Sequence, residues 1–255
     1  MLLSIQRFKK AASRRLAGCV ASRKHRIKNA QPVVSFTFDD FPLSSLYIAG
    51  AILEQFNARG TYYTSLGLES KIAPTGPIFR PADLRLAVEK GHEIGCHTFD
   101  HYSAWNTPAD MYLASTQKNL RQLSAVFPGL LVCSHSYPID IPRLPTIRNM
   151  SRLFRACRAG GQKYNIGMLD LNQLSAFFIE QSRGVPESIY NIIQENALNG
   201  GWLIFATHDV CDNPTRYGCT PALFEQIVSW SQSSGSRILS VTAALDLFEV
   251  PSVSK

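Results

Sequence analysis

Val33-Val34-Ser35-Phe36-Thr37-Phe38-Asp39-Asp40 is the stretch on which the fold turns. An apolar and hydroxyl-bearing run, bounded by Pro32 in front and two carboxylates behind, reads as a short strand of a buried sheet. The segments after it keep the same rhythm. Leu46, Ala49, Leu53 and Phe56 recur at helical spacing over 46–58, and Gly60 closes that segment. A strand is expected over 61–66, a helix over 81–90 ended by Gly91, and a strand over 92–97. A longer helix over 110–127 stops at Pro128-Gly129, followed by strands over 130–134, 154–157 and 174–179. The pattern closes with a helix over 188–198, a strand over 202–207, a helix over 221–232, a strand over 237–241 and a short terminal helix.

Strands alternating with helices predict a mainly parallel sheet with crossover connections. The number of such units in one stretch favours a closed or nearly closed βα barrel, in which chemistry gathers at the C-terminal strand ends. Asp39, Asp40, His97 and His208 all fall at such ends. No nucleotide-binding glycine pattern and no internal repeat is present.

The chain has 255 residues and a net charge of +7, with 45% hydrophobic and 18% charged residues. These values suit one large α/β domain with a sizeable core. The charge is uneven: residues 1–30 hold nine of the 26 Lys and Arg and none of the 19 acids. The remainder is slightly acidic, so the basic footprint of a nucleic-acid enzyme is missing from the body. We therefore divide the chain into a basic extension, 1–31, and a domain, 32–255.

Met1, Ile5, Phe8, Ala12, Leu16 and Cys19 form one apolar face between the basic residues, suited to peripheral membrane contact through 1–28. A solvated tail explains the composition equally well, and a transit sequence would share it. Arg7, Lys9 and Lys10 interrupt any secretory h-region, which predicts a cytoplasmic protein, perched in the amphipathic reading at the inner membrane face. The six cysteines show no CxxC, so reduced thiols are expected. A loop-closing Cys211–Cys219 disulfide would require export.

His97-Thr98-Phe99-Asp100-His101 supplies two imidazoles four residues apart. With Asp39-Asp40 it offers two nitrogen ligands, one carboxylate ligand and a spare carboxylate, the set a hydrolytic divalent metal requires. Asp100 is either a partner of these histidines or simply exposed.

These residues resemble the polysaccharide deacetylase family, the NodB-like carbohydrate esterases of family 4 type, over about residues 32–248. The family's Thr-Phe-Asp-Asp-Gly-Pro appears here as Thr37-Phe38-Asp39-Asp40-Phe41-Pro42. Its His-(Ser/Thr)-x-x-His is His97 to His101, after Gly91-His92-Glu93-Ile94-Gly95. Its final hydrophobic strand ending in histidine is Trp202-Leu203-Ile204-Phe205-Ala206-Thr207-His208.

The resemblance implies a distorted (β/α) barrel of about seven strands that removes N-acetyl groups from amino sugars of a poly- or oligosaccharide or a glycan precursor. It implies that Asp40, His97 and His101 bind a divalent metal, zinc first, with Co²⁺ or Mn²⁺ as alternatives. By the same likeness a metal-activated water attacks, Asp39 is the general base and His208 the general acid.

Two departures qualify this. Phe41 replaces a glycine, which suggests a different turn and a side chain walling the sugar pocket. The family's Arg-x-Pro-Tyr, whose Arg orients the base and whose Tyr N–H holds the oxyanion, is replaced by Ser134-His135-Ser136-Tyr137-Pro138-Ile139. Tyr137 or Ile139 is then the N–H donor, and Arg143 or Arg155 the arginine to reach in. Asp170 is either the partner of His208 or a loop or N-cap carboxylate, and His135 reads as a loop histidine. Two rival readings stand beside the deacetylase: an amidase of the same architecture on a non-sugar amide, and a catalytically weak carbohydrate-binding homologue.

Overall fold

The computed structural model describes residues 20–27, 31–139, 141–182 and 185–253. In chain order these form β1 (Lys24–Arg26), β2 (Val33–Asp39), a π-helical stretch (Ser45–Gly50) running into α1 (Ala51–Gln55), and β3 (Thr61–Thr64). A small hairpin, β4 (Ile72–Ala73) and β5 (Gly76–Pro77), precedes α2 (Pro81–Glu89), β6 (Glu93–Cys96) and α3 (Ala109–Val126). Then come β7 (Ser134–Ser136), α4 (Leu144–Met150), β8 (Ala156–Arg158), β9 (Met168–Asp170) and β10 (Phe177–Phe178). The chain ends with α5 (Pro186–Asn199), β11 (Trp202–Thr207), α6 (Pro221–Ser233), β12 (Arg237–Ile238) and α7 (Val241–Leu247).

Seven strands lie side by side in the order β10-β11-β2-β3-β6-β7-β8, and every pair is parallel. The sheet curls into a half-barrel, the distorted βα architecture that the family resemblance implies. β12 pairs with Val33 and Val34, below the point at Thr37 where β3 takes over the edge of β2. β2 is central, and all seven of its residues are buried. A strand covered on both faces loses polar alternation, which is why 33–38 reads as a near-continuous apolar run. Phe36 and Phe38 pack toward Phe224 of α6. Ser35 takes the opposite face, where its hydroxyl accepts from Trp202 Nε1 at 2.9 Å. Period-two alternation sends Asp39 to the same side as Ser35 and Thr37.

Boundaries shift where pairing, not composition, decides. The strand expected over 130–134 forms at Ser134–Ser136, because only there does the chain pass between β6 and β8; Leu131 is 77% exposed. The strand expected over 154–157 is Ala156–Arg158, and that over 174–179 shrinks to Phe177–Phe178. The amphipathic face expected over residues 1–19 lies outside the described residues. Further along, Lys24–Arg26 pairs antiparallel with β9, and Arg23 donates to the carbonyls of Ser151 and Phe154. No helix among the described residues is long and apolar enough to cross a membrane.

Candidate metal centre

The C-terminal ends of β2, β6, β8, β10 and β11 open onto one cleft of about 650 Å³. Asp39, Asp40, His97, His101, Arg158, Glu180 and His208 line it.

Asp40, His97 and His101 converge there. Their ligand atoms all lie within 4.8 Å of one another. Asp40 Oδ1 is 3.0 Å from His101 Nε2 and 3.8 Å from His97 Nε2. The Ser136 carbonyl lies 2.8 Å from His97 Nδ1, which places the proton on that nitrogen and leaves Nε2 as a lone-pair donor toward Asp40. Thr75 Oγ1 donates to Asp40 Oδ2 at 3.2 Å. Burial pushes the Asp40 carboxyl up, but the imidazoles outweigh it and hold the group well below the usual carboxylate range. Burial pulls His101 down, yet Asp40 reverses that and holds it above its ordinary value. His97 is brought to about 4, chiefly by burial. A buried carboxylate oxygen opposed by two imidazole nitrogens suits a divalent cation well. The backbone is bent around this group: Asp40, Thr98 and His101 all adopt left-handed conformations, with φ of 63°, 62° and 53°. Such strain persists where surrounding structure enforces it.

Asp39, the last residue of β2, points into the same cleft. The guanidinium of Arg158 donates to both of its carboxylate oxygens and to Ser136 Oγ, which itself lies 3.2 Å from Asp39 Oδ1. Arg158 is held between the rings of Tyr63 and Phe178, at 5.3 and 5.4 Å. Burial raises the Asp39 carboxyl, and Arg158 with His97 and His208 outweighs burial and lowers it.

Arg158 was not among the arginines expected from the sequence. When Ser136-Tyr137-Pro138-Ile139 is set on Arg-x-Pro-Tyr, Ser136 stands in the arginine's place. Ser136 and Arg158 are register partners across β7 and β8, so their side chains leave the sheet on one side. The guanidinium thus enters the space that a long side chain at 136 would fill. Arg143 instead lies over Trp105 at 5.3 Å, and Arg155 pairs with Asp246 at 2.6 Å. The available signal was an arginine directly after the strand-like 154–157.

Other expectations need correction. Phe41 does not wall the cleft: it is fully buried, packed on Tyr62 and Phe79 at 4.5 and 5.0 Å. Its φ is 56°, in the left-handed region. Phe41 keeps the backbone conformation that favours glycine and inserts its ring in the core. Tyr137 lines the cleft, but its N–H is spent on the Arg158 carbonyl at 3.1 Å. Ile139 lines the cleft as well. Asp170 lies away from His208, accepting from the N–H groups of Arg23 and Asn172.

The carboxyl beside His208 is Glu180, in the single turn Ile179–Ser182 after β10. It follows the strand-like 174–179, a position sequence reasoning passed over. His208 follows β11, and its Nδ1 lies 3.3 Å from the Tyr217 carbonyl. His135 is fully buried, with Nε2 2.9 Å from Tyr112 Oη and its ring stacked on Phe154, outside the metal group. Asp100 is exposed and accepts from Ser115 Oγ at 2.7 Å. Cys211 and Cys219 are both free thiols: Cys219 packs in the core with Val210, whereas Cys211 Sγ is directed to Asp209.

The polysaccharide deacetylase family model matches residues 26–139. No curated protein matches the chain. Among solved structures, the chain is similar to a family 4 acetyl xylan esterase from Clostridium thermocellum in complex with a cobalt ion (20% identity, TM-score 0.57, 86% of this chain and 93% of that one). It is also similar to the chitin deacetylase of the fungal pathogen Colletotrichum lindemuthianum (15%, 0.60, 86% and 89%). A family 4 pseudoenzyme from Bacillus anthracis shares the fold as well (13%, 0.60, 87% and 68%). Over residues 26–139 the chain is thus similar to the polysaccharide deacetylase family, and it shares its fold with solved family 4 structures.

Proposed function

We propose that the protein is a metal-dependent deacetylase of N-acetylated glycans. The observation that carries this reading is one cleft holding the Asp40-His97-His101 group beside a second carboxylate, Asp39, kept ionised by Arg158.

A divalent cation held by Asp40, His97 and His101, most simply zinc, would supply a Lewis acid that acidifies a water and polarises an acetamide carbonyl. The protein's own groups do the rest. Asp39 takes the proton of the attacking water, and Arg158 fixes the direction of its lone pairs. Ile139 N–H donates to the carbonyl oxygen as that oxygen gains charge. His208 gives a proton to the leaving nitrogen, which is too basic to depart as an anion. Arg158 also answers the strongest sequence argument for a weak binding homologue, namely an absent base-orienting arginine.

The test is acetate release from N-acetylglucosamine oligomers with Zn²⁺, Co²⁺ or Mn²⁺ added, run beside a panel of non-sugar acetamides. Asp40→Ala and His97→Ala should abolish metal uptake and acetate release together. Asp39→Asn should bind metal and lose turnover; full activity of that variant would overturn the assignment of the base.

A further inference from the structure

The cleft contains three carboxyl groups among its described residues, and two are committed. Both oxygens of Asp39 accept from Arg158. Asp40 turns Oδ1 toward the two imidazoles, where a cation would sit, and accepts from Thr75 through Oδ2. Glu180 differs. Its carboxyl accepts from its own backbone N–H, but Oε2 is buried and meets no hydrogen-bond partner among the described residues. A buried acceptor without a donor is costly, so such an atom in a cleft marks a place where a ligand completes the bonding.

The setting dictates the ligand's chemistry. Glu180 faces His208, Asp39 and Arg158, and burial brings its carboxyl to about 7. The group therefore sits between its two protonation states and ionises when a cation arrives. An acetamide nitrogen is neutral and offers one N–H. The amine left after deacetylation is an ammonium with three. Only the second can both ionise a buried carboxyl and bond to its spare oxygen.

We propose that Glu180 is the receptor for a free amino group of the glycan, so that the cleft selects chains already carrying deacetylated sugars. This inference rests on the deacetylase reading and names its substrate class.

Two probes decide it: the β-1,4-linked glucosamine disaccharide and its di-N-acetyl counterpart. Their affinities for the full chain are measured by calorimetry, with Zn²⁺ and after chelation. The wild-type protein should prefer the diamine in both states, since Glu180 is not a metal ligand. Glu180→Gln should weaken diamine binding about ten- to hundredfold, the range of one charged hydrogen bond, and change the diacetyl affinity less than about twofold. Glu180→Asp, which keeps the charge, should retain part of the preference. Equal losses for both sugars, an unchanged diamine affinity in Glu180→Gln, or no preference in the wild type would each overturn the proposal. Acetate release from the diacetyl sugar on the same samples tests the deacetylase reading separately.

Discussion

Arg158 and Asp39 meet in an ion pair although four strand-to-strand steps, β2-β3-β6-β7-β8, separate the strands that carry them. In a flat sheet those steps would hold the strands roughly 19 Å apart. The pair exists because the sheet curls, so it reports on the fold as well as the site. Removing the guanidinium by Arg158→Ala should leave a buried charge uncompensated. We expect a loss of about 3–5 kcal/mol of stability and a fall in kcat of at least about a hundredfold. The double variant Ser136→Arg/Arg158→Ser should recover a substantial part of both. Denaturant midpoints and acetate-release rates of the two variants check this; a double variant no better than Arg158→Ala would show that the strand of origin matters.

Thr75 supplies Asp40's other oxygen with its hydrogen bond. Groups that orient a ligand typically contribute about 10–100-fold to metal affinity. Thr75→Val should therefore weaken zinc binding by about tenfold in a chelator competition, while Thr75→Ser keeps the wild-type value. Equal affinity for all three would assign Thr75 to hairpin packing alone.

Phe41 sets two effects against each other. Glycine at this position would relieve a left-handed residue by about 1–2 kcal/mol. It would also delete a buried ring, at a cost of about 3–5 kcal/mol. Packing wins, so Phe41→Gly should lower stability by about 2–3 kcal/mol even though it restores the family's residue. Urea denaturation measures the difference, and a stabilised variant would refute the ranking.

Two buried histidines outside the Asp40-His97-His101 group make stability depend on pH. Burial lowers His92 to about 4 and His135 well below its ordinary value. In the unfolded chain both take up protons near pH 6.5, so the unfolded form binds more protons as pH falls. Stability should thus be fully present above about pH 6.5 and decline as pH falls toward 4, by at most about 1.4 kcal/mol per unit for each histidine. His92→Gln should flatten this slope between pH 6.5 and 5, as read from thermal midpoints. An unchanged slope would mean that His92 is protonated in the folded state.

The strand 202–207 matches its predicted limits, and β2 needs only Asp39 added, because a wholly buried parallel strand is written as an uninterrupted apolar run. β7 and β10 are only three and two residues long. Their limits are set by neighbours rather than by composition, so 130–134 and 174–179 mislead. The convergence of Asp40, His97 and His101 was legible because each of them sits in a short local pattern. Arg158 and Glu180 were not: Arg158 meets Asp39 across the barrel mouth, 119 residues away in the chain, and Glu180 comes beside His208 only through the pairing of β10 with β11. Phe41 was misplaced for a different reason: a left-handed turn can be filled by a core aromatic when the ring's burial exceeds the backbone's cost.

The cross-strand register of Ser136 with Arg158 constrains how such a protein can change over time. A chain with arginine at both positions would crowd two guanidinium groups against one carboxylate. A chain with arginine at neither would strand Asp39 as a buried, unpaired anion. Both intermediates are penalised, so descendants of one arrangement rarely reach the other by single steps. Relatives with an arginine at 158 opposite a small residue at 136 should therefore group together rather than lie scattered, which a comparison of their sequences tests.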